Sequence, residues 1–334
     1  MNTDSDKIID SFHREHDYLR ISLTERCNLR CMYCMPIEGV SLKENGKYMT
    51  AHEIVEIARV FANLGIKKIR LTGGEPLVRK DVVEIISELA KLPVELAITT
   101  NGILVDKYLD LFLDSGLRSI NVSIDSLQKN KFKDLTRRNH FDKVMSNIQL
   151  LLSNNFHVKL NAVLIKGEND NEILDFVEFT KDRNVHFRFI EFMPFDGNSW
   201  DNSKVVSYED VSQIASNQYG SDLVRLKDKK NDTSKSYKID GYKGTFAVIS
   251  SVTNPFCDSC NRIRLTADGK IKNCLFSNSE IDLLTPFRNN EKIDLLIKQS
   301  IWNKKSIRAG MNTIQEFSNP IEHSKNRAMI SIGG

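Results

Sequence analysis

The sequence predicts an α/β protein: an incomplete (βα)6 TIM-like barrel followed by a smaller C-terminal α+β region carrying its own cysteine set. Three observations predict it. Strand-like and helix-like stretches alternate six times between residues 18 and 192, and strict alternation argues for a parallel sheet. Distinctive short motifs follow the strands repeatedly, and in such barrels the chemistry sits at the C-terminal strand ends. The alternation stops after Trp200. Six units are too few to close the usual eight-stranded barrel, so an incomplete one is expected. The organisation expected is a polar N-terminal arm over 1–17, the partial barrel over 18–200 and the C-terminal region over 201–334.

The elements follow in order. Tyr18 to Leu23 alternates as a strand does and ends at Thr24. Thr50 and Glu53 form a capping box. Ile54, Ile57, Ala58, Phe61 and Leu64 follow at helical spacing until Gly65 stops the run. Residues 68–72 are a strand, 81–91 a helix and 95–99 a strand; a helix over 105–115 ends at Gly116. Residues 119–124 are the next strand, then come a helix over 141–153, a strand over 157–164, a helix over 171–183 and a strand over 186–192. Beyond Trp200, a helix over 205–217 and a strand over 245–252 are expected, separated by the polar stretch 226–238, which reads as a solvated, mobile loop.

Cys27, Cys31 and Cys34 follow the first strand. Three thiolates so close in sequence meet at one point with little chain entropy to fix. They suit zinc, copper(I) or an iron–sulfur cluster. Structural zinc wants four closed ligands, whereas three thiolates leave one iron of a four-iron cluster without a protein ligand. Other motifs fall at the same barrel mouth. Thr72-Gly73-Gly74-Glu75-Pro76 follows the second strand and Thr99-Thr100-Asn101-Gly102 the third. Ser123 and Asp125 end the fourth, Lys159 to Asn161 lie in the fifth, and Arg188 to Met193 end the sixth. Each has a plain reading: turn for the glycines and Asn101, strand end for Thr99, barrel filling for Ser123 and Met193.

The net charge of +3 selects no partner class and argues against a nucleic-acid module, which would present a strongly basic face. No apolar run approaches the ~20 residues of a membrane span, and the N-terminus has no apolar signal core, so a cytoplasmic protein is expected. Six cysteines in a reducing compartment are ligands rather than disulfides.

The second set is Cys257, Cys260 and Cys274. Zinc is the serious rival here, because two cysteines two residues apart with a distant third are zinc-like; a fourth ligand would have to be His323, far off in sequence. Between these cysteines stand Arg262, Ile263 and Arg264. In a strand, residues two apart share a face, so both guanidiniums can aim at one spot beside the cluster, and Arg suits bidentate phosphate binding. Arg20, Arg70, Lys159 and Arg188 lie inside other predicted strands, where a buried cation needs a partner. A near-neutral chain that places so many cations in its barrel is built for a polyanion such as a nucleoside triphosphate.

The Cys-x3-Cys-x2-Cys pattern with Tyr33 before its last cysteine resembles the radical S-adenosylmethionine (SAM) superfamily. Residues 27–36, 69–77, 188–193 and 256–269, with Cys274-Leu-Phe and the terminal Gly333-Gly334, resemble more narrowly the GTP 3′,8-cyclases of molybdenum-cofactor biosynthesis, over residues 15–334. The resemblance implies two [4Fe-4S] clusters, held by Cys27/Cys31/Cys34 and by Cys257/Cys260/Cys274. It implies that Tyr33, Gly74, Ser123 and Met193 contact SAM. Arg20, Arg70, Thr99, Lys159, Arg188, Arg262, Ile263 and Arg264 then bind GTP, and the Gly333-Gly334 tail enters the active site as part of the catalytic apparatus. The reaction implied begins with a 5′-deoxyadenosyl radical taking hydrogen from ribose C3′. The C3′ radical adds to guanine C8, and an electron, for which the second cluster is the implied source, and a proton then complete (8S)-3′,8-cyclo-7,8-dihydro-GTP. Partners implied are a flavodoxin- or ferredoxin-like electron donor, the enzyme that makes cyclic pyranopterin monophosphate, and a second copy in a homodimer; no membrane or nucleic acid is expected. The rival is a radical SAM peptide-modifying enzyme with one auxiliary cluster. Asn147 and Asn155 depart from the family's glycines; Asn tolerates the left-handed conformation, so little is lost.

Overall fold

The computed structural model describes residues 7–35, 44–323 and 326–333. Gly334 and the Pro36 end of the first cysteine motif lie outside the described residues.

Among the described residues, twelve strands form one sheet. They are β1 (Tyr18–Ser22), β2 (Lys68–Thr72), β3 (Glu95–Thr100), β4 (Ser119–Ser123), β5 (His157–Leu164) and β6 (His186–Glu191), then β7 (Leu223–Arg225), β8 (Lys235–Ile239), β9 (Thr245–Ile249), β10 (Arg262–Leu265), β11 (Lys270–Lys272) and β12 (Ile281–Asp282). Their order is β12-β11-β10-β1-β2-β3-β4-β5-β6-β9-β8-β7. The six barrel strands run in sequence as expected. β10 extends them in parallel beside β1, and β9 beside β6. The antiparallel strands β11, β12, β8 and β7 finish the two flanks. Residues beyond 200 thus complete both sides of the barrel sheet. Among the described residues the row begins at β12 and ends at β7 rather than closing.

The helices form where the apolar spacing places them. Helix Ala51–Asn63 buries Ile54, Ile57, Ala58 and Phe61. Its capping box is complete: Glu53 N donates to Thr50 Oγ1 at 3.2 Å and Thr50 N to Glu53 Oε2 at 2.7 Å. Helix Phe141–Ser153 has the expected bounds.

Four expectations need correction. The stretch 226–238 is not all loop, since β8 takes its last residues and pairs with β9. Tyr237 and Ile239 are buried, so a two-residue alternation was present, masked by Lys235 and Lys238 within the same strand. Helix Lys129–Thr136 was missed because it buries only Phe132, Leu135 and Thr136. The helices read over 105–115 and 171–183 open as short 3-10 turns and end sooner, at Asp114 and Glu178. Asn155 takes the left-handed conformation, with φ of 56°, but Asn147 does not. It is buried within its helix, and its Nδ2 donates to the carbonyls of Gly102 and Ile103 at 2.7 and 3.1 Å. It pins the loop after β3.

The N-terminal residues from Ile8 to His16 are docked rather than free. Ile8, Asp10 and His16 are buried. Arg14 Nη1 donates to the Cys257 carbonyl at 2.7 Å and to that of Ser306 at 2.8 Å. No helix among the described residues is long and apolar enough to cross a membrane.

Candidate active site

The parallel register levels Arg264 of β10, Arg20 of β1 and Arg70 of β2. Residues level on parallel strands face the same side of the sheet, so three guanidiniums form one row. One step earlier, Tyr18 is level with Arg262, whose guanidinium lies over the Tyr18 ring at 5.7 Å. Arg70 Nε donates to the Tyr18 hydroxyl at 2.5 Å. Across the barrel, Lys159 is level with Asn121 and Thr99, and Arg188 Nε donates to Asn161 Oδ1 at 2.9 Å.

The electrostatics show the crowding. Burial, followed by Arg264, Arg262 and Arg70, drives the Arg20 pKa well below its ordinary value. Burial, with repulsion from Arg188 and Arg70, lowers Lys159 to about 8. Burial and Arg70 bring Arg188 to about 9, and burial and Arg262 bring Arg264 to about 10. Burial alone would raise the Tyr18 phenol, yet Arg70, Arg20 and Arg262 outweigh it and pull it to about 7. The Tyr18 hydroxyl is thus held close to three of these cations. Thr99 Oγ1 is buried with no partner among the described residues. Ile263 is fully buried in the core, so only its backbone is available to a ligand.

The second cysteine set lies at the same end. A cavity of about 70 Å³ is walled by Cys257, Cys260 and Cys274 together with Arg262, Arg264 and Arg308. Both guanidiniums of the Arg-x-Arg therefore share a wall with the three sulfurs, as the strand spacing requires. His323 is turned to other work: its ring packs on Phe317 and its Nε2 sits 2.5 Å from the Phe317 carbonyl oxygen.

The first set is built by two loops in backbone contact. Gly74 N donates to the Thr24 carbonyl at 2.7 Å, and Glu75 N to that of Arg26 at 2.8 Å. A Cβ on Gly74 would stand 2.5 Å from the Arg26 carbonyl oxygen, so the missing side chain serves this close approach. Glu75, Asn101 and Asp125 support the cysteines, and spacing alone did not single them out. The buried Glu75 carboxylate accepts from Asn101 N at 2.7 Å and Thr100 Oγ1 at 2.8 Å; burial raises its pKa to about 7. Asn101 Nδ2 bonds Asn28 at 2.6 Å and faces Cys27 Sγ at 3.9 Å. Tyr33 donates its hydroxyl to the buried Asp125 at 2.8 Å. Beside Tyr33 opens a cleft of about 370 Å³, walled also by Met32, Met35 and Phe192. Ser123 ends β4. Met193 packs against an apolar cluster that includes Phe195 and Ile332 and also takes in Cys274.

All six cysteines are free thiols. Burial and mutual repulsion push Cys34 up to about 12, and burial with Glu75 pushes Cys27 up to about 11. Burial likewise raises Cys257 to about 11. Cys260 goes the other way: burial would raise it, but Lys304 and Arg262 together outweigh burial and lower it. Crowded thiols of this kind ionise when a metal supplies positive charge. Among the described residues no three Cys, His, Asp or Glu side chains close on one point as a single ion requires. Two trios of soft donors, the second lining one cavity and the first close enough to raise one another's pKa, fit iron–sulfur clusters.

The C-terminal helix Met329–Ile332 lies between the sets. Ile330 packs with Met35, Cys27 and Cys34, and Ile332 with Phe195, Phe276 and Cys274. The buried Gly333 beyond it reaches Thr72 and Ser22 at the ends of β2 and β1.

Comparison with known proteins agrees with this geometry. The Radical SAM superfamily profile matches residues 21–180 and the Molybdenum Cofactor Synthesis C profile residues 185–309. The chain is 46% identical over 339 residues to "GTP 3′,8-cyclase, mitochondrial" of Arabidopsis thaliana, covering all of this chain and 85% of that one. It is 47% identical over 302 residues to "Molybdenum cofactor biosynthesis protein moc-5" of Caenorhabditis elegans, covering 89% of this chain and 50% of that protein; the chain thus spans about half the length of several relatives it matches. The crystal structure of Streptococcus suis SuiB superposes with a TM-score of 0.63 at 13% identity, over 92% of this chain and 73% of that one. At that identity the likeness is one of fold.

Proposed function

The chain belongs to the GTP 3′,8-cyclase family within the radical SAM superfamily, and from that premise we propose that it converts GTP to (8S)-3′,8-cyclo-7,8-dihydro-GTP, the first step toward the molybdenum cofactor. The observation that carries the proposal is the level row of Arg264, Arg20 and Arg70, beside the cavity walled by the second cysteine set. A triphosphate supplies negative charge matched to three level guanidiniums.

When bound, the first cluster and SAM supply a carbon radical able to remove an unactivated ribose hydrogen. The rest is positioning by the chain. Cys27, Cys31 and Cys34 hold the first cluster. Tyr33, with its hydroxyl fixed by Asp125, sets the adenosyl group, and Gly74, Ser123 and Met193 line the same site. Arg20, Arg70, Lys159 and Arg188 grip the phosphates, while Thr99 and the Arg262–Arg264 backbone orient the nucleoside. Cys257, Cys260 and Cys274 would hold the second cluster beside Arg262 and Arg264, and it would supply a soft-metal site for the nucleobase. The Met329–Ile332 helix and the tail fill the space between the sets and exclude water. Holding C3′ within reach of the radical and C8 within reach of C3′ is where such a site gains most of its rate.

We further infer a flavodoxin- or ferredoxin-like electron donor, hand-over of the labile product to the enzyme that makes cyclic pyranopterin monophosphate, a homodimer, and a reducing, cytoplasmic setting that keeps the six thiols unpaired. The test is anaerobic incubation of the reconstituted chain with GTP, SAM and dithionite. It should yield 5′-deoxyadenosine and the cyclised nucleotide in equal amounts; 5′-deoxyadenosine without any change in GTP would defeat the reading.

A further inference from the structure

Lys304 lies just beyond helix Asp294–Trp302 and is only 4% exposed. Its Nζ donates to Cys260 Sγ at 3.3 Å and to the Arg262 carbonyl oxygen at 3.0 Å. A buried ammonium needs a counter-charge. Among the described residues no carboxylate lies within salt-bridge distance of it. The anion within reach is the Cys260 sulfur, in the form that binds metal.

Its surroundings support the assignment. Arg14 donates to the Cys257 carbonyl at 2.7 Å from the other side of the same turn. The backbone N–H of Arg308 points to Cys257 Sγ at 3.5 Å. The turn from Cys257 to Cys260 is therefore bracketed by cations and donors, and at Cys260 the Lys304 ammonium bonds the sulfur directly. The two acceptors of Lys304 also belong to different tasks. Cys260 is a cluster ligand, and Arg262 begins β10, the strand that carries the cations of the substrate site.

We propose that Lys304 is a positioning residue of the second cluster: its buried ammonium, bonded to Cys260 Sγ and the Arg262 carbonyl, raises that cluster's reduction potential and fixes the ligand against the strand that binds substrate. Hydrogen bonds and positive charge at a ligand sulfur favour the reduced cluster, because reduction adds negative charge to the sulfurs and irons alike. The proposal rests on the reading that the second set holds a cluster.

The test is a redox titration of the full-length chain, reconstituted with iron and sulfide and followed by electron paramagnetic resonance. A Cys27→Ser form assigns the second cluster's signal. Lys304→Met should keep the iron of both clusters but shift the second midpoint to lower potential, leaving the first in place. Lys304→Arg, which keeps charge and donor, should restore it. An unchanged midpoint in Lys304→Met would reduce Lys304 to a strut for the Arg262 carbonyl. Should that variant lose iron, Lys304→Gln, which keeps a donor without the charge, replaces it, and an unshifted midpoint there overturns the proposal equally. A wild-type chain holding the iron of one cluster alone defeats the cluster reading first, and the role of Lys304 with it.

Discussion

Arg264 donates from Nη1 to the carbonyl oxygen of Gly333 at 2.5 Å. A cation of the row that faces the substrate space thus also holds the end of the chain. Gly333 has φ of 86°, and a Cβ there would stand 2.5 Å from Thr72 Oγ1. Gly333→Ala should therefore push the tail out of the mouth without touching the barrel. Cyclised nucleotide should fall by about 100-fold, the scale set by misplacing a reacting group. Production of 5′-deoxyadenosine should continue, and the thermal midpoint should barely move. Chromatography of both products checks this; full cyclisation in the variant would show that the tail is a bystander.

The tail is held a second time upstream. Arg327 bonds Asp268 through Nη1 and Nη2 at 2.7 and 2.9 Å, and Glu280 at 2.5 Å. Asp268 is buried, and Glu280 is 13% exposed on its side chain. Removing the cation takes the bidentate guanidinium from the buried Asp268, which costs about 3 kcal/mol for a buried pair, while Glu280 keeps Lys272 at 3.3 Å. Arg327→Met should lower the calorimetric midpoint by several degrees and expose the segment after Asn326 to protease. Protection at wild-type level would mean that the Met329–Ile332 packing alone holds the tail.

The cation row gives the GTP-free chain a specific pH dependence. Tyr18 titrates near 7 in the folded state against 10.0 when unfolded, and Lys159 near 8 against 10.5. In each window the unfolded chain binds the extra proton, so stability rises with pH. The contribution of Tyr18 grows from about 7 to 10, and that of Lys159 from about 8 to 10.5. GTP should cancel both, since its phosphates favour a charged lysine and a neutral phenol. Melting curves at rising pH should show the increase without GTP and lose it with GTP. Tyr18→Phe should delay its onset and Lys159→Met should remove its upper part. A flat profile for the free chain would mean that the cations are not coupled as their register implies.

Much of this was legible in the sequence because the relevant periods are short. The two-residue period of Arg262 and Arg264 put both on one face, and β10 confirms it beside β1. The six barrel strands were readable as apolar runs between helix stops. What could not be read was pairing over long separations. Nothing local says that residues 262–265 join the sheet next to residues 18–21, or that Arg14 reaches a carbonyl at Cys257. Asn101 looked like half of a turn; its role beside Asn28 and Cys27 exists only once β3 has brought it to the mouth. Lys304 sat in a run of surface-like polar residues, and only the fold shows it turned inward.

The two cysteine sets differ in what shares their space, and this separates their functions. Cys27 and Cys31 pack on the barrel core, and Tyr33, Asp125 and Glu75 surround them. Cys260 and Cys274 offset part of the lowering of Arg264, so they act on the cation row directly. Cys27→Ser should abolish 5′-deoxyadenosine formation, because the radical source is lost, while GTP binding by equilibrium dialysis stays close to wild type. Cys274→Ser should do the reverse: GTP binding weakens by about tenfold, the scale of one lost polar anchor of 1–2 kcal/mol, and SAM cleavage continues without cyclisation. Iron should fall in each variant by the content of one cluster. If Cys274→Ser left GTP binding intact and lost SAM cleavage instead, the second set would belong to the radical source, and the division of labour across the Met329–Ile332 helix would be wrong.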